Sequence, residues 1–199
     1  MRSWLLAACA HEADLKAALE SGADFVILDL DRSPRAVEWL TATPRLVVKI
    51  GEAIDDDLDA VMPAAPWAIL ASCRSGAEVQ RLGAKLAVRE ARLGLVDGAT
   101  RIVAGIDDAK AVLNLPSFLA ASPRLAALAF WARAPWANTA RGLVVIAAAA
   151  ADVAAIDGPG EAGAFRREAL YAREMGFSGK IATNAEEVAI LNAVFAPRA

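Results

Sequence analysis

The chain has 199 residues, enough for one domain to bury a sizeable core without disulfides or a structural metal. Apolar residues make up 57% and charged residues 23%, with 49 alanines supplying much of the apolar share, a composition that excludes disorder. The 21 basic and 24 acidic residues leave a formal charge of -3 with no long basic block, which argues against a nucleic-acid partner, and the single histidine, His11, excludes a multi-histidine metal site.

Short apolar runs alternate with stretches of helical period from one end to the other. The predicted strands are Trp4 to Ala8, Phe25 to Leu30, Leu46 to Ile50, Ala68 to Ala71, Ile102 to Ile106, Leu125 to Phe130, Ala154 to Ile156 and Lys180 to Ala182. Each run is continuous rather than alternating, which is how a parallel strand covered on both faces reads. Predicted helices between them include Glu12 to Glu20, Ala77 to Arg89, Ala137 to Ala151, Phe165 to Met175 and Ala185 to Phe195, with Gly22 and Gly176 as stops. Eight cycles in this length predict an α/β fold, a compact (β/α)8 TIM barrel that is trimmed relative to the usual ~250 residues and forms a single domain over 1–199. An open doubly wound sheet is the other architecture that such alternation permits, but it usually stops at five or six strands.

Arg2, Leu5, Leu6, Ala7, Ala8 and Cys9 resemble a lipoprotein cleavage box. The apolar stretch before Cys9 is shorter than the roughly 7 to 15 residues of a signal segment, so a buried first strand is the expectation. Cys9 and Cys73 match no CxxC spacing and are too few for a disulfide framework, which fits a reducing, cytoplasmic setting. No segment approaches the ~18 uninterrupted apolar residues that span a bilayer, so no membrane partner is expected.

Several strings carry a family resemblance together. RSWLLAACA, GADFVILDLD, LVVKIG, AVLNLPSFLAASPRLAALAF, AIDG, FRREALYAREMGFSGK and VAILNAVFAPRA, in that order and spacing, resemble the HpcH/HpaI aldolase family, in its citrate lyase beta subunit-like branch. The resemblance implies a (β/α)8 barrel, often trimeric, in which Mg2+ held by two acidic side chains binds the carboxylate and carbonyl of a small oxo acid. Members of that branch make or break a carbon-carbon bond in acyl-CoA thioesters such as citryl- or malyl-CoA. A divalent metal suits that chemistry because it stabilises the enolate formed beside a carbonyl, while Arg neutralises the substrate carboxylate.

Carried across by position, the resemblance places Asp107 at the family's metal-binding Glu after the fifth strand, one methylene shorter. The family's FGAEDL after the sixth strand reads Phe130, Trp131, Ala132, Arg133, Ala134, Pro135, so the second metal carboxylate is replaced by Ala134, its acidic neighbour by Arg133 and a Gly by Trp131. VVRIN reads Val47, Val48, Lys49, Ile50, Gly51, which keeps a cation without the two-pronged grip of guanidinium. LDLED becomes Leu28, Asp29, Leu30, Asp31, Arg32; LPK becomes Leu70, Ala71, Ser72; the PGDR-like turn becomes Ala8, Cys9, Ala10, His11; and AIHP becomes Ala182, Thr183, Asn184, Ala185. The barrel-building strings persist while those at the C-terminal mouth, where such barrels place their chemistry, are altered.

The resemblance therefore nominates Asp29, Lys49, Asp107 and Arg133 as catalytic candidates and His11, Asp31, Ser72 and Trp131 as substrate-binding candidates, with no metal expected because of Ala134. Each has a plainer reading. Asp107 could simply face a helix N-terminus, and Arg133 could anchor an anion in the pocket or pair with Asp107 near the lost metal site. Lys49 could be a substrate cation or a Schiff-base nucleophile, or pair with Asp29 or Asp31. His11 could act as acid or base, or cap a helix, or simply be exposed. Asp55, Asp56, Asp57 and Asp59 lack the Gly and distal Glu of an EF-hand and read as a solvated helical turn. Trp67, Trp131 and Trp136 could form a pocket wall or fill space, and Trp131 could plug the mouth. Two functions remain open: a carbon-carbon lyase or aldolase on a small oxo acid or acyl thioester, and a non-catalytic relative that binds a small carboxylate or a protein partner. A homo-oligomer, trimeric by resemblance, is expected.

Overall fold

A computed structural model describes residues 1–161 and 163–197; the last two residues of the VAILNAVFAPRA string lie outside them. Eight parallel strands close in sequence order, each bonded to the next and β8 to β1. They are β1 (Ser3–Ala7), β2 (Phe25–Asp29), β3 (Leu46–Lys49), β4 (Ala68–Ser72), β5 (Arg101–Ile106), β6 (Leu125–Phe130), β7 (Ala154–Asp157) and β8 (Gly179–Ala182). The expected TIM barrel is what forms, and every predicted strand agrees with the observed one to within a residue at each end.

The connecting helices are α1 (Glu12–Glu20), α2 (Ile54–Val61), α3 (Gly76–Leu93), α4 (Ala109–Leu113), α5 (Ala137–Ala150), α6 (Phe165–Met175) and α7 (Ala185–Val194). After β2 the crossover is a six-residue 3-10 helix, Pro34–Trp39, in place of an α-helix. Pro34 stands at the first position of that 3-10 segment, where its missing N–H costs nothing. Gly22 and Gly176, at φ +79° and +99°, take the left-handed conformation that ends α1 and α6.

Strand side chains divide by parity. Trp4, Leu6, Ile27, Val47, Leu70, Val103, Ile156 and Ile181 fill the barrel interior, while Leu5, Val26, Leu28, Val48, Ile69 and Leu128 join the layer between sheet and helices. Burial on both faces explains the unbroken apolar runs in the sequence. The N-terminal end of the barrel is closed by aromatics, with the Trp4 ring 4.7 Å from Phe25 and Phe25 4.2 Å from Trp67. A buried ion pair ties α3 to the start of β6: Arg124 donates from Nη1 and Nη2 to Glu90 Oε1 and Oε2 at 2.9 and 2.7 Å. The backbone N–H groups of Gly98 and Thr100 complete the shell around that carboxylate.

Candidate functional site

The β2–β3 register sets Asp29 beside Lys49 at the C-terminal mouth. Both share the parity of Ile27 and Val47, so both point toward the barrel axis. Lys49 Nζ donates to Asp29 Oδ1 and to Asp31 Oδ2, each at 3.0 Å, so the expected pairing occurs with both acids at once. Asp29 is 4% exposed, and Arg32 approaches its other oxygen at 3.8 Å. Gly51 permits the arrangement, because a Cβ there would lie 2.5 Å from Asp31 Oδ1. Burial alone would lower the Lys49 pKa, but the bonds to Asp29 and Asp31 outweigh it and hold the ammonium above its ordinary value. Lys49 is therefore a protonated cation at neutral pH, and a Schiff-base nucleophile needs a free amine.

Ser72 ends β4 and Asp107 directly follows β5, and the Ser72 hydroxyl donates to Asp107 Oδ2. The helix start that Asp107 was expected to face is instead served by Asp108. The Asp108 Oδ1 accepts the Ala111 N–H at 2.7 Å, and its Oδ2 takes Arg74 Nε at 2.8 Å. The Ala111 N–H, and then Arg74, hold the Asp108 carboxyl below the usual carboxylate range. Asp31, Lys49, Ser72 and Asp107 line one cavity of about 700 Å³ over β3, β4 and β5. Cys73 also lines it, with its thiol pushed up to about 12 by burial and by the negative charges of Glu78 and Asp107. Burial, and then Asp14, likewise raise Cys9, so neither cysteine is poised as a nucleophile at neutral pH.

The remaining candidates lie elsewhere. Trp131 is half-buried and packs on the barrel-interior cluster, above the small inward side chains Ala127 and Ala129 of β6. Arg133 is exposed, has no acidic partner within 4 Å among the described residues, and does not pair with Asp107. Both line a second cavity of about 370 Å³ between the β6–α5 and β7–α6 loops, as does Ala134. His11 is exposed at the start of α1, where its backbone N–H donates to Asp14 Oδ2 at 2.8 Å, and it lines neither cavity. Trp67 sits at the opposite end of the barrel from Trp131, and Trp136 packs on the outer core, so the three form no common wall. Asp55 and Asp59 bind Lys85 and Arg89, tying α2 to α3, while Asp57 accepts the Gly51 N–H at 2.8 Å.

Sequence reasoning passed over five charged residues of the second cavity, Arg141, Asp157, Glu161, Glu168 and Lys180. Lys180 is 2% exposed, and its Nζ donates to Asp157 Oδ2 at 2.6 Å and to the Gly158 carbonyl at 2.7 Å. Arg141 Nη2 donates to the same Asp157 oxygen at 3.1 Å. The only signal for Asp157 and Lys180 lay in the AIDG and GFSGK strings, whose charges read as parts of the framework, and Arg141 lies in none of the quoted strings.

Neither a protein-family model nor a curated protein matches the sequence. Solved structures do. RipC from Yersinia pestis is 25% identical, covering 100% of this chain and 96% of its own, at a TM-score of 0.76. The citrate lyase beta subunit from Mycobacterium tuberculosis is 19% identical over 98% of this chain and 97% of its own, at a TM-score of 0.82. The chain has the citrate lyase beta subunit fold. A further structure, of Mycobacterium tuberculosis CitE with magnesium, acetoacetate and coenzyme A, covers 99% of this chain and 81% of its own at 19% identity and a TM-score of 0.81. The resemblance carried by the sequence strings is thus met along the citrate lyase-like barrel from end to end. Among the described residues no helix is long and apolar enough to cross a membrane.

Proposed function

We propose that this citrate lyase-like barrel binds a small carboxylate, of the oxo acid or acyl thioester class, and has given up metal-assisted carbon-carbon bond cleavage. The observation that carries the reading is the state of the mouth carboxylates. Asp107 is bonded by Ser72, Asp29 and Asp31 are both committed to Lys49, and position 134 is an alanine. Mg2+ requires oxygen ligands in near-octahedral geometry, and this donor set does not fit it. Trp131 on the interior cluster also takes space at the mouth.

The ligand class is supported by similarity. Mycobacterium tuberculosis CitE holds acetoacetate with coenzyme A in one structure, and its citrate lyase beta subunit holds oxaloacetate with magnesium in another. The retained lyase is the competing reading, favoured by the shared cavity of Lys49, Ser72 and Asp107. Incubation with malyl-CoA and citryl-CoA in excess Mg2+ separates the two. No release of the smaller thioester is expected; release that EDTA abolishes overturns the proposal.

A further inference from the structure

The mouth around Lys49 is a poor place for an anion. Each of the four cations that line that cavity is already offset, Lys49 by Asp29 and Asp31, Arg74 by Asp108, Arg81 by Glu78 and Lys85 by Asp55, and Asp107 adds a further negative charge. The second cavity is different. Its lining carries three basic residues, Arg133, Arg141 and Lys180, and three acidic ones, Asp157, Glu161 and Glu168, so it is formally neutral. The charges are not evenly placed. Asp157 and Glu168 turn toward Lys180, at 2.6 and 3.7 Å, and Asp157 serves Arg141 with the same oxygen.

Two guanidiniums are left with unused donors. Arg141 Nε is buried and bonds to nothing, and the Nη2 bond to Asp157 is the only ion pair of that side chain among the described residues. The Arg141 group is held in place over the Tyr171 and Phe177 rings, at 5.3 and 5.5 Å, so it is presented in a fixed orientation. Arg133 has no acidic partner among the described residues. Asn138 adds a side-chain amide on the same wall. The first turn of α5 also lacks a side-chain cap at Trp136, although its Ala137 N–H is met by the Ala134 carbonyl at 2.9 Å. A cavity of about 370 Å³ suits a small ligand or one end of a larger one.

We propose that the cavity between the β6–α5 and β7–α6 loops binds a small oxyanion, a carboxylate or phosphate group, on Arg133, Arg141 and Asn138. This deepens the reading of a carboxylate-binding barrel and rests on it, and it moves the ligand's charged end off the barrel axis. Guanidinium forks match the two oxygens of either group, which is chemistry that Lys49 does not offer.

The test is a titration of the 15N-labelled chain with malonate and, separately, with inorganic phosphate, at constant ionic strength. Saturable shifts are expected at Arg133, Asn138 and Gly158, and the anion that saturates at lower concentration identifies the source of the group. Arg133→Ala, at an exposed position, should weaken binding at least about tenfold with no change in thermal midpoint. Saturable shifts confined to Lys49, Ser72 and Asp107, with Arg133→Ala binding as well as the parent, would overturn the placement and leave the carboxylate reading standing. No saturable response to either anion would overturn both. A response to phosphate alone would support the oxyanion cavity and overturn the carboxylate class.

Discussion

Lys49 lies directly across the β2–β3 register from Asp29, and its ammonium sits 3.0 Å from that nearly buried carboxylate. Asp31 reaches over Gly51 to the same ammonium. A residue that the family resemblance places among the substrate-binding cations is thereby engaged by its own chain.

The first prediction concerns nucleophilicity. With its pKa above the ordinary lysine value, Lys49 presents no free amine at neutral pH. Borohydride added with pyruvate should leave the intact mass unchanged, and a reduced adduct at Lys49 would contradict this. The same shift fixes a sign for stability. A raised folded-state pKa means that the Lys49 contribution is complete below the unfolded lysine value, about 10.4, and fades as the pH rises through the folded one. Lys49→Met should remove that alkaline dependence and cost about 3 kcal/mol, because Asp29 is left without its principal partner.

A second prediction concerns the buried pair at the other end of the barrel. Burial works against ionisation of Glu90, but Arg124 and the Thr100 and Gly98 N–H groups outweigh it and hold the carboxyl below its usual range. Its stabilisation is present above the unfolded Glu value, about 4.3, and is lost as the pH falls through the lower folded value. Glu90→Gln should cost about 3–5 kcal/mol, since Arg124 is then buried without a counter-charge. For a chain of this size that lowers the thermal midpoint by roughly 10 °C. Calorimetric scans of both proteins between pH 3 and 7, on the order of one pH unit apart, would show it; equal acid limbs would contradict it.

Thiol chemistry gives a third. Cys73 is 2% exposed and Cys9 is 5% exposed, and both pKa values are raised. Native protein at pH 8 should resist iodoacetamide, with both thiols modified once guanidinium unfolds the chain. Rapid native alkylation at Cys73 would show that the first cavity opens far more than its geometry indicates.

A fourth prediction restores what position 134 lacks. Combining Trp131→Gly, Arg133→Glu and Ala134→Asp returns the mouth of β6 to the family pattern. The triple variant should bind Mn2+ measurably more tightly than the parent, as read by paramagnetic broadening of resonances around Asp107. Equal broadening in both would mean that Ala134 is not what separates this chain from a metal site.

The fold was legible because both faces of the sheet are buried, which writes every strand as a continuous apolar run; α1, α6 and β6 agree with their predicted limits. The 3-10 turn at Pro34–Trp39 marks where the chain omits a helix, a detail that periodicity does not encode. Asp29 and Lys49 were legible as partners because they end adjacent strands in register. The fate of Arg133 was not, since it lies beyond the strand end, where the loop rather than the pleat sets the side-chain direction. Lys180 and Asp157 were missed for a different reason. They lie on strands but face the helix layer, so their charges are paired out of sight of any mouth motif.

The account rests on the mouth carboxylates being unable to hold a divalent ion. Isothermal titration of the parent chain with Mg2+ and with Mn2+ measures this directly. Binding weaker than millimolar for both ions is the predicted result. Tighter binding that is lost in Asp107→Ala would contradict the account and return this barrel to the metal-dependent lyases it resembles.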